Sequence, residues 1–348
     1  MRILCIVPTL DLNSTLGAAP YLNQLLGCLE RKVELVTVES LKHKASIFER
    51  AYNRFIAKYE KSYSYAKAIV KKHKSFSPDV VLIIHDFRWL REGNLRLLRK
   101  AFDCKIFFYD LEAPLNFPEF SKDKRYGGCA WLKCDLSQVD GAIIPSKSTE
   151  YVKDTLKAPK VQTIYFSVDP SWYPTEELQQ VYDFCYLGMS TYYRENSIEM
   201  MITEPSLKLQ DYVFLVSSRN EFDFGRAKTI YGSIDFESYS KIPRQSKVNL
   251  SITREPFTQV YASSVSRPFE LAAMKCCVVS NKCSGMEEWF KKGKEILVVE
   301  NSRDAVELYK WLVESPEERM RLGNNAYHRV LRDHTVDKRA DEMLKFLK

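Results

Sequence analysis

Short apolar runs of β character recur along this chain, separated by loop- and helix-length stretches. Residues 3–7, 33–38, 80–84, 106–109, 141–145 and 161–164 form a first series. Residues 184–187, 213–216, 250–253, 276–280 and 296–299 form a second. Strands buried on both faces read as near-continuous apolar runs, and alternation with helices demands parallel crossovers. The connection at 166–174, FSVDPSWYP, is punctuated by proline and shows neither helical nor strand period. The pattern therefore predicts an α/β chain of two Rossmann-like halves hinged at that connection. A chain of 348 residues is long enough for two cores.

Several classes are excluded early. No G-x-G-x-x-G follows the first strand, where only Gly17 is present, and this counts against a dinucleotide-dependent dehydrogenase. The nine cysteines are scattered, without a C-x-x-C pair or accompanying histidines, and read as small core side chains rather than a zinc site. The longest apolar runs fall far short of a bilayer span. The chain enters its first strand directly after Met1-Arg2 with no signal-peptide pattern, so a cytoplasmic location with reduced cysteines is expected. The formal charge of +7 suits an anionic substrate or an acidic membrane surface and does not by itself argue nucleic acid. From Lys42 to Lys74, aromatic residues recur at helical spacing opposite a strongly basic face. This stretch reads as a helix with an aromatic core side, or as a surface docking on anionic lipid at the inner face of a membrane.

Ligands of open parallel sheets bind beyond the carboxyl ends of the strands. In the first half Asp11, His85, Asp86, Asp110 and Glu112 fall there. They are the candidates for a catalytic base, with Asp110 favoured and His85 second; Asp11, Asp86 and Glu112 are assigned to an acceptor. Tyr126-Gly127-Gly128 is a further candidate for an acceptor loop.

In the second half Gly188 ends a strand and Arg194 follows it, with Arg219 a weaker candidate after the next strand. Residues 249–290 then read as strand, loop, helix, strand, loop and helix. Ser266 is read as the N-cap of that helix, with Pro268 in its first turn. Ser263, Ser264 and Ser266 supply small donors, and Arg254 and Arg267 supply planar, permanently charged forks. An uncovered helix start beside arginines is an anion site suited to phosphate. Glu270 lies too far along for a capping box counted from Ser266, which lands on Phe269.

The runs Thr253-Arg254-Glu255 and Ser264-Val265-Ser266-Arg267-Pro268-Phe269-Glu270, with residues 182–188, Arg194 and Asp333-His334-Thr335, resemble the C-terminal signature of the spore-maturation-protein (CgeB-like) glycosyltransferases. These are similar to glycosyl transferase group 1 enzymes. The resemblance covers residues 166–348 well and the first half in outline. It implies a GT-B fold: two Rossmann-like domains with parallel sheets facing across a cleft, and a C-terminal helix crossing back to the first. The implied boundaries are 1–168 for the acceptor domain, 169–334 for the donor domain and 335–348 for the crossover helix.

The activity implied is hexosyl transfer from a UDP- or GDP-sugar to a glycan, lipid-linked or protein acceptor, in cell-surface glycan or glycoconjugate synthesis. Glu270 would hold the ribose, and Gly188, Arg194, Arg254, Ser264, Ser266 and Arg267 the diphosphate, with Arg194 also serving the chemistry. Two positions depart from the pattern. Lys275 stands where glycine usually follows the helix, and Ala262 replaces a glutamate that many members use on the sugar. No D-x-D motif occurs, and Glu221-Phe222-Asp223 is the nearest miss, so a mechanism without metal or other cofactor is the simpler reading. A nucleotide-sugar epimerase or hydrolase, and a non-catalytic nucleotide-sugar-binding scaffold, remain open beside it.

Overall fold

The computed structural model describes residues 1–12, 19–40, 61–113, 135–188 and 191–348. The expected helix from Lys42 therefore lies outside the described residues up to residue 60, as does the Tyr126-Gly127-Gly128 turn. The chain forms two compact units. The first comprises Met1–Leu10, Leu26–Ile164 and Glu342–Lys348; the second comprises Asp11–Leu25 and Tyr165–Asp341.

In chain order the first series runs β1 Arg2–Val7, α1 Ala19–Glu30, β2 Glu34–Glu39, α2 Lys61–His73, β3 Val80–Ile84, α3 Glu92–Phe102, β4 Lys105–Tyr109, β5 Gly141–Ile144, α4 Thr149–Asp154 and β6 Val161–Thr163. Its strands make a parallel sheet ordered β2-β1-β3-β4-β5-β6. The apolar runs are buried on both faces, as their continuity requires: β3 is buried throughout and β4 from Ile106 onward. Leu95, Leu98 and Phe102 line one side of α3 and pack with Ile83, Ile106 and Phe108. Burying each such side chain stabilises by about 1.5–3 kcal/mol. The helix stops at Asp103, whose left-handed backbone lets its N–H reach the Arg99 carbonyl. Phe346, near the chain end, packs edge-on to Phe107 at 5.6 Å, and Lys160 Nζ donates to its carbonyl at 2.7 Å.

The second series runs β7 Tyr182–Leu187, α5 Glu195–Ile198, a π-helical turn Glu199–Thr203, α6 Glu204–Lys208, β8 Phe214–Ser218, β9 Lys228–Tyr231, α7 Phe236–Arg244, β10 Ser246–Ser251, α8 Glu255–Gln259, α9 Ser266–Ala273, β11 Val278–Asn281, β12 Leu297–Val299, α10 Ser302–Glu314, α11 Pro316–Asp333 and α12 Val336–Leu347. The sheet order is β12-β11-β10-β7-β8-β9, all parallel. The π turn has a cause in the sequence. Pro205 has no N–H to offer the Met201 carbonyl one helical turn back, and Tyr309 Oη donates to that carbonyl instead, at 2.9 Å.

In each sheet the chain direction of winding reverses once, between β1 and β3 and between β7 and β10. A crevice opens at such switch points beyond the carboxyl ends of the strands. β9 and α7 correspond to no element expected from the sequence. β9 is short and mostly exposed, and α7 carries Pro243 inside it, so neither shows a clean period.

Candidate functional site

At the switch point of the second unit, two arginines hang on the ends of neighbouring strands. Arg267 Nη2 donates to the carbonyl of Leu187, the last residue of β7. Arg194 Nε donates to the carbonyl of Ile252, just past β10, at 2.8 Å. β7 and β10 are hydrogen-bonded neighbours, so the anchors are about one strand spacing, roughly 4.8 Å, apart across the sheet. Arg254 adjoins them as the N-cap residue of α8, its guanidinium 4.5 Å over the Phe257 ring. The α8 N-terminus is tied to the loop that carries Arg194: Glu255 N–H donates to the Tyr193 carbonyl at 2.7 Å.

The start of α9 differs in one respect from expectation. Ser266 is the first helical residue, and the N-cap is Val265, which has no side-chain acceptor. The expected serine cap is therefore absent, because the extended conformation needed at a cap falls one residue earlier. The first N–H groups of α9 lack a side-chain cap, which suits them to an anion. Ser264 is committed elsewhere: its buried hydroxyl accepts from the Phe166 N–H at 3.1 Å. Ser263 Oγ is buried without a partner.

Glu270 sits inside a buried polar cluster. Tyr239 Oη donates to Glu270 Oε2, and Arg267 Nη1 approaches the same oxygen at 3.8 Å. The Arg267 guanidinium lies 4.1 Å from the centroid of the Tyr239 ring. Arg267 Nη1 has no hydrogen-bond acceptor and is shielded from solvent. Burial, together with the charge of Glu270, pushes the Tyr173 hydroxyl well above its usual range. Tyr173 Oη accepts from Gln24 Nε2 at 3.0 Å, and Gln24 Oε1 accepts from the Asp169 N–H at 2.6 Å. Sequence reasoning missed Tyr239, Tyr173, Gln24 and Asn281. Asn281 holds both the N–H and the carbonyl of Thr253 at 2.9 Å and so fixes the loop before Arg254. A buried asparagine ending a strand was the one available signal.

Gly188 was expected to let a ligand approach the backbone. Its near neighbour is instead the Tyr186 side chain: a Cβ at position 188 would lie 2.2 Å from Tyr186 Oη. Lys275, where the resemblance implies a glycine, adopts the left-handed conformation that glycine favours, with φ of 56°. Its N–H bonds the Ala272 carbonyl and the Cys276 N–H bonds the Leu271 carbonyl, both at 3.0 Å, completing a Schellman turn. Ala262 is likewise left-handed, with φ of 52°, and is buried. His334 is structural. Arg339 Nη2 donates to its Nδ1 at 2.7 Å, and its Nε2–H donates to the Trp289 carbonyl at 2.9 Å. Burial, then the Arg339 charge, lowers it to about 3. Arg219 is half-buried, and its Nη2 donates to Ser233 Oγ at 2.9 Å.

In the first unit His85 and Asp110 form a buried pair. His85 directly follows β3 in a left-handed conformation, φ 50°, and its Nδ1 meets Asp110 Oδ1. Asp110 is 1% exposed and its Oδ2 has no partner, whereas the His85 side chain is 24% exposed. The pair thus presents the imidazole and hides the carboxylate. Burial alone pushes His85 down, but the charge and hydrogen bond of Asp110, helped by Glu112 and Asp86, lift it to about 9. Burial raises Asp110, and His85 offsets this only in part. Asp86 is buried and accepts from Ser40 Oγ at 2.7 Å. Glu112 is half-buried, with its N–H on Asp110 Oδ1 at 3.3 Å. Asp11 is exposed and groups with the second unit, apart from the other four.

Comparison with known proteins agrees with the two-sheet fold. Two-sheet structures similar over their whole length include sucrose-phosphate synthase from Thermosynechococcus elongatus, at 13% identity and a TM-score of 0.66, covering 99% of this chain and 98% of that one. The fold is GT-B. A glycosyltransferase from Rickettsia africae is similar at 14% identity and a TM-score of 0.60, over 100% and 97% of the two chains. Anabaena Alr3699/HepE, solved with UDP and glucose, is similar at 11% identity and a TM-score of 0.65, over 100% and 99%. Residues 205–345 match the glycosyl transferase-like family model. Among curated proteins no sequence match is significant.

Proposed function

We propose that this GT-B protein is a glycosyltransferase that takes its donor, a nucleotide-diphosphate sugar, on the second unit. The observation that carries the reading is the pair of guanidiniums anchored to adjacent strand ends at the switch point, beside a helix start without a side-chain cap. The family match over residues 205–345, and neighbours solved with UDP or UDP-glucose, support it. The motifs around Arg254 and Glu270 support the finer CgeB-like type.

Negative charge grows on the departing diphosphate in the transition state. Arg194, Arg254, Arg267 and the α9 N–H groups are aimed where that charge develops, and their prepositioning is the main source of rate. They supply the charge that a metal supplies elsewhere, so the reading invokes none. Glu270 accepts the ribose hydroxyls once Tyr239 yields part of its hold. On the first unit His85, oriented by Asp110, takes the acceptor proton, and Asp86 and Glu112 shape the acceptor side. A base works in its deprotonated form. Turnover, read as nucleoside diphosphate released with acceptor present, therefore rises with pH up to about 9. Asp110→Asn removes the charge that lifts His85, so it moves this limb to lower pH. His85→Ala lowers kcat by about 10²–10⁴-fold. A rate unaffected by His85→Ala would remove the base from the scheme.

The acceptor is proposed to be presented at an anionic surface. Lys67, Lys71, Lys72 and Lys74 are exposed along and just beyond α2, and among the described residues no helix is long and apolar enough to cross a membrane. Sedimentation with phosphatidylglycerol vesicles should show binding that high salt abolishes; no binding at low salt contradicts this.

A further inference from the structure

A cavity of about 610 Å³ opens at the amino ends of β7, β10 and β11, the edge of the second sheet opposite the arginine cluster. Its size is that of a small-molecule site. The segment leading into β7, the C-terminus of α7, the Schellman turn after α9 and the first turns of α11 enclose it. Four cations line it, Arg244, Lys247, Lys275 and Arg319, against Glu176 and Glu177.

These cations are incompletely neutralised. Lys247 pairs with Asp183 at 2.7 Å, and Arg244 meets Glu176, a side chain 76% exposed, only at 3.5 Å. Lys275 and Arg319 have no carboxylate oxygen within 4.0 Å among the described residues. Lys275 Nζ lies 5.1 Å from the Tyr327 ring centroid. Arg319 uses Nη1 on the Leu312 and Val313 carbonyls at 2.5 and 2.8 Å, leaving Nη2 with a long contact to Gln180 Oε1 at 3.4 Å. Burial disfavours the Arg319 charge, a cost that a bound anion offsets. Met274, Met320 and Cys276 give the same cavity an apolar side.

We infer that this cavity is a second ligand site, for a phosphorylated small molecule whose phosphoryl group meets Lys275 and Arg319. The apolar side accommodates the rest of the ligand. Because the site is on the edge opposite Arg194, Arg254 and Arg267, its ligand and a nucleotide bind together. α9 joins the two edges: Arg267 lies in its first turn and Lys275 just past its last. The inference stands whether or not the donor-site reading holds.

Inorganic pyrophosphate, titrated calorimetrically into the full chain, is the probe. Arg254→Gln is the background, since it weakens anion binding at the opposite edge and leaves the cavity intact. In that background pyrophosphate binds saturably. Adding Arg319→Gln weakens it by tenfold or more. Arg319 also holds two carbonyls of α10, so Lys275→Gly, which relieves a left-handed lysine, serves as the variant that keeps the fold; it too weakens binding by tenfold or more. Absence of binding in the Arg254→Gln background, or binding that Lys275→Gly leaves unchanged, overturns the site.

Discussion

Burial lowers the imidazole pKa at both His334 and His85, and the charged group beside each decides where it ends. The two move in opposite directions. Burial and Arg339 hold His334 neutral down to about 3, against 6.5 for a free imidazole. Between those values the unfolded chain binds a proton that the folded chain refuses, so stability falls as pH drops through this window. The slope from this group approaches 1.4 kcal/mol per pH unit. Chemical denaturation at pH 7.5 and 5.5 should show wild type losing stability on acidification, and His334→Gln losing less; equal losses would contradict the assignment. His85 goes the other way, because a buried carboxylate faces it. Both histidines were visible in the sequence as residues next to strand or helix ends. What separated them is an arginine five residues on, one turn into the next helix, against one, and an aspartate 25 residues on, at the end of the neighbouring strand, against the other; neither contact is marked by a local motif. The same holds for the placing of Asp110 beneath His85: both follow apolar runs, but only the register of β3 with β4 decides which one reaches solvent.

Secondary elements were the most legible level, since long apolar strands buried on both faces leave little choice. β3 occupies the expected residues, and most others begin or end within two. α7 escaped notice because Pro243 interrupts its pattern, and with it went Tyr239, the hydroxyl that holds Glu270. The helix that matters most, α9, was placed correctly except for its cap. Its C-terminus is the instructive end. A lysine where a glycine is usual suggested a changed turn, yet Lys275 adopts the left-handed conformation and both bonds of the turn form. The cost of that conformation for a side chain with Cβ is about 1–2 kcal/mol, above the ~0.5–1 kcal/mol of an exposed cation–π contact. Lys275→Gly should therefore stabilise the protein by about 0.5–1 kcal/mol, and Lys275→Ala should not. Thermal unfolding of the three proteins side by side decides it, and a glycine variant that melts below wild type would mean the Tyr327 contact outweighs the strain. α11 approaches this turn closely through Gly323, where a Cβ would lie 2.1 Å from the Lys275 carbonyl oxygen.

At the scale of the whole molecule, two parallel sheets have one winding reversal each, the kind of place where ligands of such sheets bind, and chemistry-bearing residues stand near both. The second unit gathers arginines on strand ends; the first gathers a histidine–carboxylate pair. The two-unit organisation followed from apolar periodicity and the proline-rich connection. The grouping of Asp11–Leu25 with the second unit did not, because it depends on Gln24 meeting Tyr173 and Asp169, far away in sequence. The central claim is that the second unit binds a nucleoside diphosphate through Arg194, Arg254 and Arg267. It is tested most directly by thermal stabilisation against UDP, GDP, ADP and CMP with their sugars, wild type beside Arg254→Gln and Glu270→Gln. A ligand at a hundredfold its dissociation constant stabilises by about 2.7 kcal/mol. One nucleotide family should raise the melting temperature of wild type, with the shift reduced in both variants. A well-folded protein that shifts with none of them, or shifts equally in the variants, would contradict the donor site.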